Sequence, residues 1–427
     1  MKKLIISGGS TLNGDVYIAG AKNASLPLMV ASILTSEKLT LSNLPHVSDI
    51  ATMSNLLASL GVEINFDGSS PLQGEKIRVI ELKANNINNP SADYNLVRKM
   101  RASILILGPL LARFGYAKVS LPGGCAIGTR PVDLHLKALE KMGATFQINE
   151  GYIEGRVQGK LKGAEIHFEK VSVGATENIL MSACLAEGET TIFNSAREPE
   201  IVDLANCLIA MGAKITGAGS SQITVQGVSS LHQATHKIMP DRIEAGTYAI
   251  AAGITGGKIN LHNLDIPIFN SFKQELEQAG LQFKQLPNNI VEVKGPSHIN
   301  AVNVSTNPYP GFPTDMQAQF MALMTISNGV SCIEENIFEN RFMHVLELNR
   351  MSANIEYHNK LAIVKGVPYL QGAEVMATDL RASVSLVLAG LVAKGQTIIN
   401  RLYHLERGYE DLAEKLINCQ ADIKIIY

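Results

Sequence analysis

Residues 28–64 read LMVASILTSEKLTLSNLPHVSDIATMSNLLASLGVEI, and they hold one complete copy of the unit from which the chain is built. The apolar run LMVASIL is typical of a buried helix, and the strand-like segment KLTLSNL follows it. An amphipathic stretch comes next, and Gly61 then precedes a second strand-like segment, VEINF. The order helix, strand, helix, strand is therefore predicted for these residues.

The same order recurs along the rest of the chain. The six matching windows are 28–64, 101–146, 177–215, 243–283, 316–355 and 380–423. Any α/β protein alternates helices and strands, but shared order and shared glycine punctuation favour a true repeat. A spacing of roughly 65 to 75 residues is too long for the common solenoids. We expect three copies in each of two domains, with a boundary in the turn-rich stretch 228–240.

Length and composition predict two domains and limit the classes of partner. The chain has 427 residues, of which 46% are hydrophobic, and one core rarely serves so long a chain. Its 37 basic and 39 acidic residues leave a net charge of -2, so we expect no nucleic-acid partner. Residues 1–9 lack the apolar core of a signal peptide, which predicts a cytoplasmic location. Apolar stretches such as 384–393 are too short to insert into a membrane.

Cysteine and histidine spacing suggests neither disulfides nor a metal. The five cysteines form no CxxC pair, and an odd number suits reduced thiols. His232 and His236 have helical ligand spacing, but they lie in a polar stretch and are expected to be surface residues. We expect no metal and no cofactor.

Four cations stand immediately before apolar helical runs. They are Lys22, Arg101, Arg242 and Arg381. Helix N-termini carry partial positive charge and favour acidic or hydroxyl residues there. Cations in that place make sense if backbone amides and side chains together hold an anion, so a phosphorylated or carboxylated ligand is predicted.

Asp315 is the exception, because it occupies the corresponding position of the fifth window. Either Thr314 or Asp315 could simply be an N-cap. A lone carboxylate among basic counterparts could instead accept a proton from a hydroxyl nucleophile. Both interpretations remain open at this stage.

A glycine-rich loop carries a further notable residue, Cys125. Residues 121–135 read LPGGCAIGTRPVDLH, with three glycines between two prolines, so an exposed thiol is expected. The other four cysteines lie in apolar runs, where a free thiol is usually a core residue. Cys125 is therefore the candidate reactive thiol, although a loop cysteine can also be incidental.

Together these stretches resemble the UDP-N-acetylglucosamine 1-carboxyvinyltransferase family of enolpyruvyl transferases. The matching motifs run nearly end to end: GAKNA (20–24), MRAS (100–103), SLPGGC (120–125), RPVDLH (130–135), KVSVGAT (170–176), AREPEIVD (196–203), DRIEAGT (241–247), FPTDMQAQ (312–319), ENRFMH (339–344), ATDLRAS (377–383) and RGYE (407–410). The resemblance implies an inside-out α/β barrel-like fold of two domains, each of three repeated βαβα-type units. It further implies domains at 23–229 and at 1–22 with 230–427, and an active site in the cleft between them.

The resemblance also implies a reaction. The enolpyruvyl group of phosphoenolpyruvate passes to the 3-hydroxyl of UDP-N-acetylglucosamine through a tetrahedral ketal, and phosphate leaves, in the first committed step of peptidoglycan synthesis. Cys125 would protonate C3 and would be the target of fosfomycin-type epoxides. Asp315 would deprotonate or orient the sugar hydroxyl, Asn23 would hydrogen-bond at the reacting centre, and Asp379 would support the site.

The remaining implied roles are in substrate binding. The residues implied for phosphoenolpyruvate are Lys22, Asn23, Arg130, Arg381 and Arg407, and Lys22 and Arg407 are also counted as catalytic. The residues implied for UDP-N-acetylglucosamine are Arg101, Arg130, Pro131, Val132, Asp133, Leu134, Lys170, Val171, Ser172, Val173, Asp315 and Ile337. Only these two small molecules are expected as partners, with no obligate protein partner.

Three other functions are compatible with parts of the pattern. The shikimate-pathway enolpyruvyl transferase shares the reaction type, but it lacks the PGGC loop and the RPVDLH stretch. A catalytically idle repeat scaffold that binds nucleotides is the second. An RNA-end-processing enzyme of related repeat architecture is the third, and the charge balance offers it no basic face.

Overall fold

The computed structural model describes residues 2–67, 78–98, 100–121 and 132–426. The strands in these ranges are β1 (Lys3–Ser7), β2 (Asn13–Tyr17), β3 (Lys38–Ser42), β4 (Glu63–Asp67), β5 (Val79–Lys83), β6 (Ser91–Ala92), β7 (Tyr116–Ser120), β8 (Ala144–Asn149), β9 (Tyr152–Val157), β10 (Glu165–His167), β11 (Glu189–Phe193), β12 (Lys214–Thr216), β13 (Gln222–Gln226), β14 (Ala234–Lys237), β15 (Lys258–His262), β16 (Gln282–Leu286), β17 (Ile290–Lys294), β18 (Val304–Ser305), β19 (Val330–Glu334), β20 (Asn354–His358), β21 (Leu361–Lys365), β22 (Glu374–Met376), β23 (Gln396–Asn400) and β24 (Asp422–Ile426).

Helices alternate with these strands. The α-helices are α1 (Lys22–Ala31), α2 (Ser48–Leu60), α3 (Tyr94–Val97), α4 (Leu107–Phe114), α5 (Asp133–Lys141), α6 (Val173–Ala183), α7 (Pro199–Ala210), α8 (Arg242–Ile254), α9 (Lys273–Gln278), α10 (Gln317–Met324), α11 (His344–Arg350), α12 (Ser383–Val392) and α13 (Leu412–Asn418). The 3-10 segments are Ser32–Leu34, Arg101–Ile106, Ile266–Phe269, Thr314–Met316 and Leu402–Arg407.

The chain divides into two compact units. Described residues 20–121 and 132–239 form unit N, and described residues 2–19 and 240–426 form unit C. The chain passes from unit N to unit C after residue 239, which is later than the boundary at 229/230 expected from the sequence. The reason is that β14 pairs in parallel with β3 of unit N. Residues 230–239 therefore lie with unit N.

Unit N contains three four-stranded sheets of one topology. Their strand orders are β14-β3-β5-β4, β6-β7-β9-β8 and β10-β11-β13-β12. In each sheet the first two strands are parallel and the later neighbours are antiparallel.

Unit C has three sheets of the same topology. Their strand orders are β2-β15-β17-β16, β18-β19-β21-β20 and β22-β23-β1-β24. Here β2 runs parallel to β15, and β1 lies between β23 and β24, antiparallel to both. The first residues of the chain thus complete two sheets whose other strands lie more than 200 residues away in sequence.

Each unit has its own apolar core around buried helices. In unit C the helices α8, α10 and α12 contact one another, and every residue of α8 and α10 is buried. Helices that are apolar on all sides are stable only where protein surrounds them, which explains their place inside the unit. The apolar runs and the strands that follow them in the six windows are confirmed as helices and strands. None of the helices in the described part of the chain combines the length and apolarity of a membrane span.

Candidate functional site

Asp315 lies between two guanidinium groups in unit C. Arg341 Nη2 donates to Asp315 Oδ1 at 2.7 Å, and Arg381 Nε lies 3.4 Å from Asp315 Oδ2. Asp315 belongs to the 3-10 segment Thr314–Met316, in which no side chain caps the N-terminus. The N-cap interpretation of this position is therefore wrong, and the carboxylate is held by cations.

Arg381 is almost completely buried. Its Nη1 donates to Gly408 O at 3.3 Å, its guanidinium lies over the Tyr409 ring, and Nη2 lies 3.8 Å from Asp241 Oδ2. Burial alone would lower the pKa of Arg381, but Asp241, Tyr409 and Asp315 raise it above its usual value. Within the described residues, Nε and Nη2 have carboxylates near them but make no hydrogen bond of good geometry.

Asp379 holds the start of the segment that carries Arg381. Its Oδ1 accepts hydrogen bonds from the backbone amides of Arg381 and Ala382, each at 2.8 Å. Its other oxygen is buried and has no hydrogen-bond partner among the described residues. His404 is half-buried and lies near both Asp379 and Arg407. Burial and the charge of Arg407 lower the pKa of His404, while Asp379 opposes this shift. Asp315, Asp379, Arg381 and Arg407 therefore belong to one region of unit C.

His344 is a further titratable group of this region. It is fully buried, and burial, together with the charge of Arg341, lowers its pKa to about 4 against the opposing effect of Asp379. The imidazole is consequently neutral near neutral pH. Ile337 lies in the same part of unit C, where its backbone amide donates to Glu335 Oε1 at 2.9 Å.

Lys22 and Asn23 begin α1 in unit N. Lys22 Nζ lies 2.9 Å from Asp49 Oδ2, and both side chains are largely buried. Asn23 is partly exposed. The helix starts after Ala21, which contributes no side-chain cap.

The described unit N residues that are implied for the sugar nucleotide lie in neighbouring segments. Lys137 Nζ lies 3.8 Å from Asp133 Oδ2 and 3.8 Å from Glu169 Oε1, so the start of α5 lies beside the segment that leads into α6. Val132 and Leu134 flank Asp133, while Lys170 and Val171 continue from Glu169.

Ser172 and Arg101 complete this group. Ser172 caps α6 by accepting a hydrogen bond from Ala175 N at 3.3 Å, and Val173 is the first residue of that helix. Burial and the charge of Arg101 lower the pKa of His135, on α5, to about 4, while Asp133 opposes the shift. Arg101 is therefore close to the start of α5.

The expectation that cations at helix starts leave their amides to a ligand is wrong at two of the four places. Asp241 accepts hydrogen bonds from the first amides of α8, after Arg242, and Asp379 does the same for the segment at Arg381. A carboxylate of the chain thus occupies the place that we expected for a ligand anion.

Two further expectations concern histidine and cysteine. His236 is not a surface residue, since its Nε2 lies 2.9 Å from Asp203 Oδ1 and the side chain is largely buried.

Burial raises the pKa of Cys184 and Cys207 to about 12 and that of Cys419 to about 11, which confirms them as core thiols. Cys332 is only partly buried. Cys125, Arg130 and Pro131 lie outside the described residues.

Several neighbours of Asp315 and Asp379 had no role in the sequence analysis. Asp241 lies in the DRIEAGT motif, Arg341 and His344 lie in ENRFMH, and Glu335 lies just before that motif. Nothing in their local spacing distinguishes them from surface polar residues, so burial in the folded chain was needed to find them. Among residues 2–67, 78–98, 100–121 and 132–426, no group of three or more His, Cys, Asp and Glu side chains could hold a metal ion.

Known proteins resemble this chain over nearly its whole length. Residues 6–416 match the family model described as EPSP synthase (3-phosphoshikimate 1-carboxyvinyltransferase). A UDP-N-acetylglucosamine 1-carboxyvinyltransferase of Paramagnetospirillum magneticum is 58% identical over 424 residues, which cover 99% of this chain and 98% of the relative. The protein of the same name from Rickettsia felis is 55% identical, with 99% of this chain and 100% of the relative covered.

Two solved structures share the fold. The enolpyruvyl transferase NikO from Streptomyces tendae superposes with a TM-score of 0.87 at 22% identity, covering 100% of this chain and 99% of that one. EPSP synthase from Acinetobacter baumannii superposes with a TM-score of 0.75 at 19% identity, and both chains are covered completely.

Proposed function

The chain belongs to the EPSP synthase family of enolpyruvyl transferases, and we propose that it transfers the enolpyruvyl group of phosphoenolpyruvate to the 3-hydroxyl of UDP-N-acetylglucosamine. Relatives named for this activity are 58% and 55% identical over almost the whole chain. The solved EPSP synthase is only 19% identical and supports the fold alone. The proposed reaction is the first committed step of peptidoglycan synthesis.

One structural observation carries the proposal beyond the likeness to relatives. Arg381 presents two buried N–H groups, at Nε and Nη2, that make no hydrogen bond with the described residues, and it lies beside the Asp315 carboxylate. Buried donors whose nearest carboxylates lie at 3.4 Å and 3.8 Å, without a hydrogen bond of good geometry, are costly and call for an explanation. A carboxylate or phosphate oxygen of phosphoenolpyruvate would satisfy them, while Asp315 would receive the hydrogen bond of the sugar hydroxyl.

The proposed chemistry is addition followed by elimination. The sugar oxygen bonds to C2 of phosphoenolpyruvate while C3 takes a proton from Cys125, and the hydroxyl proton moves towards Asp315. The bond between C2 and the phosphate oxygen then breaks, C3 loses a proton, and the enolpyruvyl ether and phosphate are released. The guanidinium groups of Arg341 and Arg381 lie beside the Asp315 carboxylate, and neighbouring positive charge favours an anionic acceptor that orients the hydroxyl.

The cations supply the electrostatic part of the mechanism. We propose that Lys22, Arg130, Arg381 and Arg407 hold the phosphate and carboxylate of phosphoenolpyruvate, with Asn23 at the reacting centre. Preorganised donors of this kind stabilise the charge that develops on a departing group, commonly by about 100- to 1000-fold per donor. Asp379 supports this arrangement by holding the backbone at Arg381.

The remaining sequence-based roles are part of the same proposal. Arg101, Pro131, Val132, Leu134 and Lys170, together with their neighbours in residues 130–134 and 170–173, would bind the sugar nucleotide, as would Ile337. We propose, as the family resemblance implies, two domains of three repeated units each. Three sheets of one topology in each unit support this division.

Phosphate release on mixing the two substrates tests the proposal. Wild-type protein should release phosphate from phosphoenolpyruvate with UDP-N-acetylglucosamine, and should release little with 3-phosphoshikimate. Cys125→Asp should retain substantial turnover, because a carboxylic acid can donate a proton, whereas Cys125→Ala should lose most of it. Faster release with 3-phosphoshikimate, or release with neither acceptor, would refute the assignment.

A further inference from the structure

Glu335 is a buried carboxylate that gathers hydrogen bonds from two segments of unit C. It follows β19 and is 1% exposed. Its Oε1 accepts from the backbone amides of Ile337 at 2.9 Å and Phe338 at 3.1 Å. Thr314 Oγ1 donates to the same carboxylate, 2.9 Å from each oxygen. Glu335 therefore ties the turn at Ile337 to the residue that precedes Asp315.

The hydrogen bonds continue from Thr314 to Asp315 through Arg341. Arg341 Nη1 donates to Thr314 Oγ1 at 2.8 Å, and its Nη2 donates to Asp315 Oδ1 at 2.7 Å. Only 4% of Arg341 is exposed, so water competes little for these contacts. One guanidinium group thus joins Thr314 to the proposed catalytic carboxylate.

Chemistry leaves a single direction for this series of bonds. A guanidinium only donates and an ionised carboxylate only accepts, whereas a hydroxyl has one proton and two lone pairs. Thr314 must therefore give its proton to Glu335 and accept from Arg341. Without the Thr314 hydroxyl, Arg341 Nη1 would lose this acceptor and the Glu335 carboxylate would lose the donor that lies between its two oxygens, and both groups are buried.

We propose that Glu335 and Thr314 are positioning residues. They fix the orientation of Asp315 through Arg341, and they hold the turn at Ile337 at a fixed distance from Asp315. This inference rests on the proposed function, in which Asp315 orients the sugar hydroxyl and Ile337 contacts the sugar nucleotide. One hydrogen-bonded group of side chains would therefore both bind the sugar nucleotide and orient its hydroxyl. A displacement of about 1 Å at such a place can lower a rate by roughly 100-fold.

Thr314→Val and Thr314→Ser give a matched test. Valine keeps the shape but removes the hydroxyl, so the Arg341 guanidinium would turn towards Glu335 and away from Asp315. We expect kcat to fall by at least ~10-fold in Thr314→Val and to be largely retained in Thr314→Ser. Thr325→Val, which removes a buried hydroxyl bonded to Ala322 O at the end of α10, is the control and should leave kcat unchanged.

The pH profile separates positioning from simple loss of folded protein. When Arg341 moves away, Asp315 loses a neighbouring cation, its pKa rises, and the acidic limb of kcat/KM should shift to higher pH in Thr314→Val alone. Because acid also lowers the stability of the fold, circular dichroism at each pH is used to express the rate per folded protein, which removes the contribution of partial unfolding. An unshifted limb, or equal kcat in the valine and serine variants, would overturn the inference.

A second variant covers failure of Thr314→Val to fold. Glu335→Gln keeps the size of the side chain but replaces one acceptor oxygen by a donor, so kcat should fall and KM for UDP-N-acetylglucosamine should rise together. Unchanged kcat and KM would overturn the inference while wild-type turnover still supports the proposed function. If the wild type releases no phosphate with UDP-N-acetylglucosamine, the proposed function fails, and the inference fails with it.

Discussion

The ammonium group of Lys22 lies 2.9 Å from a carboxylate oxygen of Asp49, and the two side chains are only 8% and 5% exposed. Lys22 is the first residue of α1, and Asp49 lies in the first turn of α2. The pair therefore joins the starts of two helices in unit N. It also sets the position of a cation that we propose to bind phosphoenolpyruvate.

This pair should behave as a buried ion pair. Asp49→Asn should lower the free energy of unfolding by about 3 kcal/mol, because it leaves Lys22 buried beside a neutral group. The double variant Lys22→Met with Asp49→Leu should recover much of that loss of stability, although it should have no phosphoenolpyruvate turnover because it lacks Lys22. Urea unfolding measures the stability of the two variants, and phosphate release measures turnover. Glu81→Gln, which breaks the exposed pair with Lys38, is the control and should cost less than about 1 kcal/mol. A double variant that is no more stable than Asp49→Asn would contradict a coupled pair.

Lys22 and Arg407 should affect one ligand more than the other. Each Ala variant should weaken phosphoenolpyruvate binding by at least ~10-fold, since a charge-assisted hydrogen bond is lost, with a smaller effect on UDP-N-acetylglucosamine. Lys170→Ala should show the opposite preference, because Lys170 is assigned to the sugar nucleotide. Isothermal calorimetry with each ligand distinguishes the two patterns. Equal loss of both ligands in Lys22→Ala or Arg407→Ala would remove those residues from the phosphoenolpyruvate site.

Asp315→Asn should abolish most turnover without abolishing the fold. The amide keeps the shape of the side chain but has lost the negative charge between Arg341 and Arg381, so the sugar hydroxyl loses its acceptor. We expect kcat to fall by at least ~100-fold. Circular dichroism and urea unfolding show whether the variant remains folded. Near-normal kcat in a folded Asp315→Asn variant would show that its carboxylate does not accept the hydroxyl proton.

His135 and His344 should make the protein less stable in acid. Burial lowers both pKa values to about 4, so the unfolded chain, in which histidine titrates near pH 6.5, binds more protons between these values. The free energy of unfolding that depends on these neutral histidines is fully present above about pH 6.5 and is lost as the pH falls towards 4. The loss is on the order of 3 kcal/mol for each residue. His344→Gln should therefore weaken the loss of stability between about pH 7 and about pH 5.

Urea unfolding at the two pH values measures this effect. His232→Gln, at an exposed position, serves as the control. If His344→Gln and His135→Gln lose as much stability in acid as the wild type, other groups account for the acid sensitivity.

Residue order along the chain was enough to locate the buried helices and the strands that follow them. The runs TYAIAAGI and QAQFMALM became α8 and α10, and KLTLSNL and KINLHNL contain β3 and β15. Helix and strand patterns are local, because they depend on side chains within a few residues of one another. Gly61 likewise ends α2 with a φ of 104°, as its place between helix and strand predicted.

The partners of these strands could not be predicted in the same way. β14 pairs with β3, and β1 lies between β23 and β24, although long stretches of chain separate them. The pattern of β14 is that of any short half-exposed strand. Its partner depends on which sheet edge lies beside it in the folded unit N.

For the candidate site, sequence patterns identified residue types, and the family resemblance supplied their proposed roles. Asp315 stood out because it is a carboxylate among basic counterparts, and Lys22 and Arg381 stood out as cations before apolar helices. Local order could not show that Arg341 and Arg381 hold Asp315, that Asp49 faces Lys22, or that Glu335 is buried. Those contacts join residues tens of positions apart, and burial makes them strong by excluding water, so they exist only once the chain has packed.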